Sequence, residues 1–355
     1  MGFSQTLDLV GNAKKKMLSQ DYTGAKSDLT NFLKLNPKNI EALDLRGKAW
    51  TMLGDNYSAI TDFTVALQVD STFAEALAHR GFAKIQLGDD ESALDDLNKA
   101  VKYNPKLGEA YTNRGLAFYN LEDLLAAYSD FSKALEIGPK DADKYFNRAV
   151  VRAELEEYVS AIDDYDNAIK LDKADPDLFN HRGVTYYKIG LFDKAIADYD
   201  SAIALDNTDP IKYENRALVK IAKKNFDDAL MDLNKEIELD PEDPEPYNLK
   251  GLVRIELKDN ATAVADFDKA IEIDDTDPTY FQNRALSKTE LGDLVGAVED
   301  YSMSINLDVN DAETFYQRGL INLKLNNKNE GCLDLKRANE LGLDLARKEI
   351  KKSCK

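Results

Sequence analysis

Residues 74–107 read AEALAHRGFAKIQLGDDESALDDLNKAVKYNPKL, and this stretch decides the fold. Counting from its first residue, small side chains stand at position 8 (Gly81) and position 20 (Ala93), and bulky Leu97 stands at position 24. Apolar residues recur three and four apart on both sides of Gly88, which is the period of an amphipathic helix. Small residues where two helices cross allow a close approach. The stretch therefore predicts two helices packed against each other around a turn near Gly88.

The same pattern returns every 34 residues along the chain, without an insertion or a deletion. A basic residue at position 7 followed by a small residue at position 8 marks each copy: Arg46-Gly47, Arg80-Gly81, Arg114-Gly115, Arg148-Ala149, Arg182-Gly183, Arg216-Ala217, Lys250-Gly251, Arg284-Ala285 and Arg318-Gly319. One step before Arg46 stands Asn12-Ala13, a weaker first copy, so ten copies begin at residue 6, and the tenth ends near residue 341. Asp175-Pro176 before a first helix suits a helix start, because Asp caps free N–H groups and Pro lacks one.

This pattern resembles the tetratricopeptide repeats, which are helix–turn–helix units of 34 residues. The resemblance implies an all-α, right-handed superhelix, an α-α solenoid of ten repeats over residues 6–341. Residues 1–5 would be an N-terminal extension, and residues 342–355 would form a capping helix with a basic outer face, which a terminal repeat needs. A basic docking helix is the alternative for that tail. At position 27, which is usually Ala, this chain departs from the pattern with Phe32, Glu236 and Ser304.

The composition limits the kinds of function. Lys and Arg number 46 against 65 Asp and Glu, a net charge of −19, which argues against a nucleic-acid partner because phosphate binding needs a basic face. No apolar run is long enough for a transmembrane segment. Two His, two Cys and no glycine-rich phosphate loop predict no metal site, no cofactor and no catalytic centre. The start MGFSQT only loosely fits N-myristoylation at Gly2.

Position 23 is Asp in all ten copies, and position 7 is basic in nine. In an antiparallel hairpin the two positions lie level, which predicts bidentate Arg–Asp pairs rather than a calcium ladder. Pairing within one repeat, such as Arg114 with Asp130, is favoured over pairing with the following repeat, such as Arg148 with Asp130. The expected structural residues are Arg46, Arg80, Arg114, Arg148, Arg182, Arg216, Arg284 and Arg318 with Asp62, Asp96, Asp130, Asp164, Asp198, Asp232, Asp300 and Asp334.

In the family that the chain resembles, positions 2, 5, 6, 9, 12 and 13 of each first helix face a peptide-binding groove. Position 6 here carries His79, Asn113, Asn147, His181, Asn215, Asn283 and Gln317. An amide both donates and accepts, so the row can hold a peptide backbone. It resembles the asparagine ladder of O-linked N-acetylglucosamine transferases. The alternative is that Asn is simply common at this position. Apolar groove candidates are Phe82, Leu116, Tyr119, Phe146 and Tyr187.

The family's clamp for chaperone C-terminal carboxylates needs Lys at position 5 and a base at position 2. Neither occurs here, so that mode is not expected. Position 2 is acidic in seven repeats, which stabilises the helix start and also forms an acidic rim that favours cationic segments. The expected function is a non-enzymatic scaffold or adaptor for peptide or protein segments, with apolar and cationic segments as partners. The alternatives are a structural component of a larger assembly and a regulatory subunit of a separate enzyme.

Cys332 and Cys354 stand on either side of Gly342, the expected turn before the capping helix. An antiparallel hairpin brings them to similar height. Two free thiols in a cytoplasmic protein and a disulfide in an exported one both remain open. A similar paired-cysteine ending is familiar in exported bacterial repeat proteins that this tail resembles.

Overall fold

The computed structural model describes residues 3–354, with side chains from Leu9 to Cys354. This part is all-α: it contains 21 helices and no strand. The helices form two compact units, unit 1 ending at Ile189 and unit 2 beginning at Gly190. The first helix begins at Phe3, inside the segment 1–5 that the repeat frame leaves out. Gly2, where the myristoylation pattern falls, lies outside the described residues.

In unit 1 the first and second helices of the repeats alternate. Their bounds are α1 Phe3–Leu18, α2 Tyr22–Leu35, α3 Ile40–Met52, α4 Asn56–Val69, α5 Ala74–Ile85, α6 Asp90–Tyr103, α7 Gly108–Asn120, α8 Leu124–Ile137, α9 Ala142–Glu154, α10 Tyr158–Leu171 and α11 Pro176–Lys188. Each helix contacts the next one along the chain, and the first helices α1, α3, α5, α7, α9 and α11 also lie side by side.

Unit 2 continues the alternation with a second helix. Its helices are α12 Phe192–Leu205, α13 Pro210–Ala222, α14 Phe226–Leu239, α15 Glu245–Glu256, α16 Asn260–Ile273, α17 Pro278–Leu291, α18 Leu294–Leu307, α19 Ala312–Lys324, α20 Lys328–Glu340 and α21 Asp344–Ser353. Consecutive helices again contact each other, and α21 packs on α20.

The turn within each repeat has a left-handed residue at position 15. Four repeats place Gly there, such as Gly88 with φ +76°. The other six place a residue with a side chain in the same conformation: Gln20, Glu122, Glu156, Lys224, Lys258 and Asn326, with φ between 60° and 65°. An Asp at position 16 then caps many second helices, as Asp123 does by accepting the N–H of Ala126 at 3.1 Å.

The core explains why position 8 is small. A Cβ added to Gly81 would lie 2.6 Å from Leu97, and one added to Gly115 would lie 2.7 Å from Phe131. The bulky side chain at position 24 therefore occupies the space that a larger residue at position 8 would need. This contact holds the two helices of a repeat together and sets the level at which their polar side chains face each other.

Candidate functional site

In seven repeats an arginine at position 7 is paired with the aspartate at position 23, between the two helices of the repeat. The guanidinium of Arg46 donates from Nε to Asp62 Oδ2 and from Nη2 to Asp62 Oδ1, both at 2.7 Å. The same forked pair joins Arg80 to Asp96, Arg114 to Asp130, Arg148 to Asp164, Arg216 to Asp232, Arg284 to Asp300 and Arg318 to Asp334. The structure thus joins Arg148 to the acid of its own repeat rather than to Asp130.

The third nitrogen of each arginine extends to the preceding repeat. Nη1 of Arg80 donates to Thr64 Oγ1 at 3.0 Å, and Nη1 of Arg114 donates to Asn98 Oδ1 at 2.9 Å. Arg182 likewise donates to Asp166 of the preceding repeat. Asp198, which the sequence pairs with Arg182, is buried in unit 2. One side chain therefore links three helices, which the position 7–23 pattern alone did not reveal.

A second base at position 11 also contacts the aspartate in several repeats. Lys84 Nζ lies 2.8 Å from Asp96 Oδ2. Burial opposes the ionisation of Asp96, but the bonds from Arg80 and Lys84 outweigh burial and lower the pKa of Asp96. In the first repeat, where Asn12 replaces the base at position 7, Lys16 Nζ lies 2.7 Å from Asp28. The buried carboxylates are thus held by bases, a structural arrangement.

In unit 1 the side chains at position 6 differ in their burial and in their hydrogen bonds. His79 is only 7% exposed, with Nδ1 2.6 Å from Asp44 Oδ1 and Nε2 3.4 Å from Glu109 Oε1. Burial opposes its protonation, but the bonds to Asp44 and Glu109 outweigh it and raise the pKa of His79 to about 9. Asn113 is 6% exposed and donates to the carbonyl of Ala78 at 3.3 Å. These two expected groove residues are therefore buried contacts between adjacent first helices, because the preceding repeat offers each an acceptor.

Asn147 and His181 differ from this arrangement. Both are half-buried, and within residues 9–354 neither side chain has a hydrogen bond to the protein. Burial lowers the pKa of His181, so its imidazole is neutral near neutral pH, and its ring meets the Phe146 ring edge-on with centroids 5.0 Å apart. Asn147 on α9 and His181 on α11 therefore keep hydrogen-bonding capacity that the described residues do not use, and the half-buried Phe146 ring lies beside His181.

The apolar groove candidates are half-buried, namely Phe82, Leu116, Tyr119, Phe146 and Tyr187. Leu116 and Tyr119 pack against the core around Phe131, and Phe146 packs against Tyr165. They therefore present only part of their surface beside the row at position 6.

In unit 2 the amides bond to their neighbours. Asn283 Nδ2 donates to Asn248 Oδ1 at 2.9 Å, and Gln317 Nε2 donates to Glu313 Oε1 at 2.6 Å. Asn215 is half-buried on α13. The asparagine row that the sequence suggests is thus divided into bonded and open members.

The last helix is covalently attached. Cys332 on α20 and Cys354 after α21 form a disulfide with Cα atoms 5.7 Å apart, so the structure contains the bonded alternative. Ala346 of α21 is buried against Leu335 and Ala338 of α20. The helix therefore covers the apolar side of the last repeat.

None of the helices between residues 3 and 354 has the length and apolar character needed to cross a bilayer.

Two family models match the sequence. A model described as TPR repeat matches residues 83–122 and 151–190, and one described as tetratricopeptide repeat matches residues 108–141, 176–209 and 244–277. The latter three ranges begin at position 1 of the fourth, sixth and eighth copies of the pattern. No curated protein matches the sequence.

Solved structures similar to the chain share its fold at low identity. The C-terminal part of a TPR repeat-containing protein from Cytophaga hutchinsonii has 18% identity and a TM-score of 0.58, covering 67% of this chain and 97% of that one. PilF of Pseudomonas aeruginosa has 17% identity and a TM-score of 0.52, covering 57% of this chain and 92% of that one. A tetratricopeptide repeat protein from Parabacteroides merdae has 22% identity and a TM-score of 0.50, covering 70% and 99%. With its paired helices and these matches, the chain is a tetratricopeptide-repeat protein, a helical solenoid of the class that serves as a scaffold for protein–protein interaction.

Proposed function

We propose that the chain is a non-enzymatic adaptor that holds an extended peptide or protein segment along the first helices of unit 1. The supporting observation is the pair Asn147 and His181, half-buried in adjacent repeats without a hydrogen bond to the described residues. An amide and a neutral imidazole each donate and accept, so together they can bond to the backbone of a bound segment whatever its sequence. The Phe146 ring beside His181 supplies an apolar contact.

The acidic rim sets the preference for charge. Asp143 and Asp177, at position 2 of the same two repeats, are exposed, and the chain carries a net charge of −19. Complementary charge raises the rate of association and disfavours acidic partners. The preferred segment therefore combines apolar and basic side chains.

A second candidate is a structural component of an assembly that uses the second helices. Its support is three exposed apolar side chains at position 18 in the second, fourth and fifth repeats: Tyr57 is 74% exposed, Leu125 is 70% and Val159 is 72%. Large apolar side chains that are repeatedly exposed on one face are typical of an interaction surface. This surface lies on α4, α8 and α10, whereas the proposed groove lies on α9 and α11.

Binding measurements on two variants separate the candidates. Peptides selected from a random library on the full chain are titrated against Asn147→Ala/His181→Ala and against Tyr57→Ser/Leu125→Ser/Val159→Ser. Loss of two or more neutral hydrogen bonds lowers affinity by about tenfold or more. We expect this loss only in the first variant, with helicity by circular dichroism unchanged in both. The opposite pattern would support the assembly candidate and refute the groove.

A further inference from the structure

Glu236 occupies a position that is Ala in most repeats. Position 27 is fully buried wherever it is Ala, as in Ala202 and Ala270 on either side. Glu236 is itself only 1% exposed, on α14, and its Oε2 has no hydrogen-bond partner among the described residues. A buried carboxylate without a partner is costly, so such groups are usually paired or bind a cation. Packing alone therefore does not explain why a glutamate occupies this buried position.

The ninth repeat shows which side chains meet at position 27. There, Gln282 at position 5 donates from Nε2 to Ser304 Oγ at position 27, at 3.0 Å. The same nitrogen donates to Asp311 Oδ2, just before the next repeat, at 2.9 Å. The side chain at position 5 thus meets both position 27 and the residue before the next first helix through a single nitrogen atom.

In the seventh repeat the same three positions are Glu214, Glu236 and Asp243. All three are carboxylates, so the donor that Gln282 supplies in the ninth repeat is missing. Glu245, at the start of α15, adds a fourth carboxylate, which accepts a bond from Asn248 at 3.4 Å. We call Glu214, Glu236, Asp243 and Glu245 the acidic pocket. Burial, followed by the charges of the other three members, raises the pKa of Glu236 to about 8.

The bases on the surrounding helices bond to other carboxylates. Lys212 contacts Asp206, Arg216 contacts Asp232 and Asp200, Lys220 contacts Asp232, Lys235 contacts Glu238, and Lys250 and Arg254 contact Asp266. The other titratable groups that act on the pocket are Asp240, Asp277 and the buried phenol of Tyr280, which add no positive charge. Glu214, Asp243 and Glu245 are only half-buried, so solvent reaches part of each of these three residues, whereas Glu236 is buried.

We propose that the acidic pocket binds the ammonium group of a lysine side chain of a protein partner. A single nitrogen with three N–H donors matches three carboxylates at the positions that meet around one donor nitrogen in the ninth repeat. Among the described residues no group of acidic, His or Cys side chains has the arrangement of a metal site. The inference rests on the proposed function in that a bound protein segment supplies the lysine, although the pocket lies in unit 2.

Protonation gives the proposal a distinctive signature. Glu236 is largely protonated near neutral pH because of its raised pKa, so binding of an ammonium must release that proton. Affinity therefore increases as the pH rises through about 8, while the lysine ammonium, with an ordinary pKa of about 10.4, stays charged. A neutral ligand has no reason to show this dependence.

The test uses n-butylammonium as the probe, titrated into the full chain with the backbone amides of residues 210–248 observed by NMR. We expect saturable shifts that N-butylacetamide does not cause, and binding that strengthens from about pH 6.5 to 8.5. Glu236→Gln keeps the shape, removes the charge and should weaken binding by about tenfold or more and abolish its pH dependence. The matched control is Glu238→Gln, an exposed carboxylate on the same helix, which should bind as the native chain does.

Equal binding by Glu236→Gln, equal binding of the neutral probe, or the absence of saturable shifts would each overturn the proposal. Tighter binding of n-butylguanidinium would replace lysine by arginine as the ligand and refute the assignment made here. The peptide selection described above is independent of this probe. Peptides that depend on Asn147 and His181 while n-butylammonium fails to bind would reject the acidic pocket and leave the proposed function standing.

Discussion

Arg114 is the residue whose loss should most clearly reveal what the ion pairs contribute to stability. Its guanidinium donates to both oxygens of Asp130 at 2.6 and 2.8 Å and to Asn98 Oδ1 at 2.9 Å. Asp130 is 5% exposed. Position 11 of this repeat is Phe118, so no second base contacts Asp130 as Lys84 contacts Asp96 in the preceding repeat. Substituting Arg114 with Met removes the charge while keeping an apolar chain of similar length.

The expected cost follows from burial. Breaking a buried pair by removing one partner strands a charge and costs about 3–5 kcal/mol. Arg80→Met is the matched comparison, because Lys84 remains 2.8 Å from Asp96 and keeps that carboxylate paired. Its cost should be nearer the value of the lost hydrogen bonds, about 1–2 kcal/mol. Adding Asp130→Asn to Arg114→Met removes the stranded charge and should restore part of the loss.

Repeat solenoids open locally, so the measurement must resolve single repeats. Native-state hydrogen exchange of α7 and α8 gives the opening free energy there, and the same measurement on α5 and α6 gives it for Arg80→Met. We expect a larger drop in opening free energy for Arg114→Met than for Arg80→Met, with partial recovery in the double variant. Equal small effects at both sites would show that these pairs do not stabilise the fold, and a double variant no better than Arg114→Met would show that the stranded charge is not the cause.

Three further outcomes are expected. Glu156→Gly should stabilise its turn by about 1 kcal/mol in denaturant unfolding, because φ is +61° there and a side chain is disfavoured, whereas Gly88→Ala should destabilise by a similar amount. Cys354→Ser removes a disulfide that joins residues 22 apart in sequence and should lower the stability of α21 by about 3 kcal/mol. Hydrogen exchange should become faster in residues 344–353 and stay unchanged in unit 1. Equal protection of residues 344–353 in the variant and the native chain would contradict this. The pKa of His79 is raised to about 9, so its contribution to stability is complete below its unfolded pKa of about 6.5 and is lost as the pH rises through about 9. The denaturant midpoint of unit 1 should therefore fall over that pH range. Asp44→Asn should remove this dependence of the midpoint on pH.

The repeat fold is confirmed by the family models and the helix pairs, and it was predictable because every copy keeps its spacing and its small and bulky positions. The aspartate partners of seven arginines were also predictable, since both residues recur at fixed positions. Its third bond was not, because Thr64 and Asn98 at position 25 are chemically unlike each other. Nothing in the 34-residue pattern shows that six of the ten turns hold a non-glycine residue in a left-handed conformation.

The candidate site was harder to predict because burial at position 6 depends on the neighbouring repeat. His79 is drawn into the interior by Asp44 and Glu109, whereas His181 at the same position meets Phe146 and has a lowered pKa. The acidic pocket was visible only as a departure from Ala at position 27. The hydrogen bond from Gln282 to Ser304 shows that positions 5 and 27 lie together, although they are far apart in sequence. This contact relates Glu236 to Glu214.

The offsets of the arginine contacts have an evolutionary consequence. Each fork reaches 16 residues forward, and each third nitrogen reaches 16 residues back, as Arg114 does to Asp130 and Asn98. If the gene lost residues 74–107, Arg114 would find Thr64 in the place of Asn98, and Thr64 already accepts this bond from Arg80. Duplication of such a block would likewise recreate every junction. The array can therefore lengthen or shorten by unequal recombination in steps of one repeat, and a new junction beside an arginine-bearing repeat keeps an acceptor for that arginine.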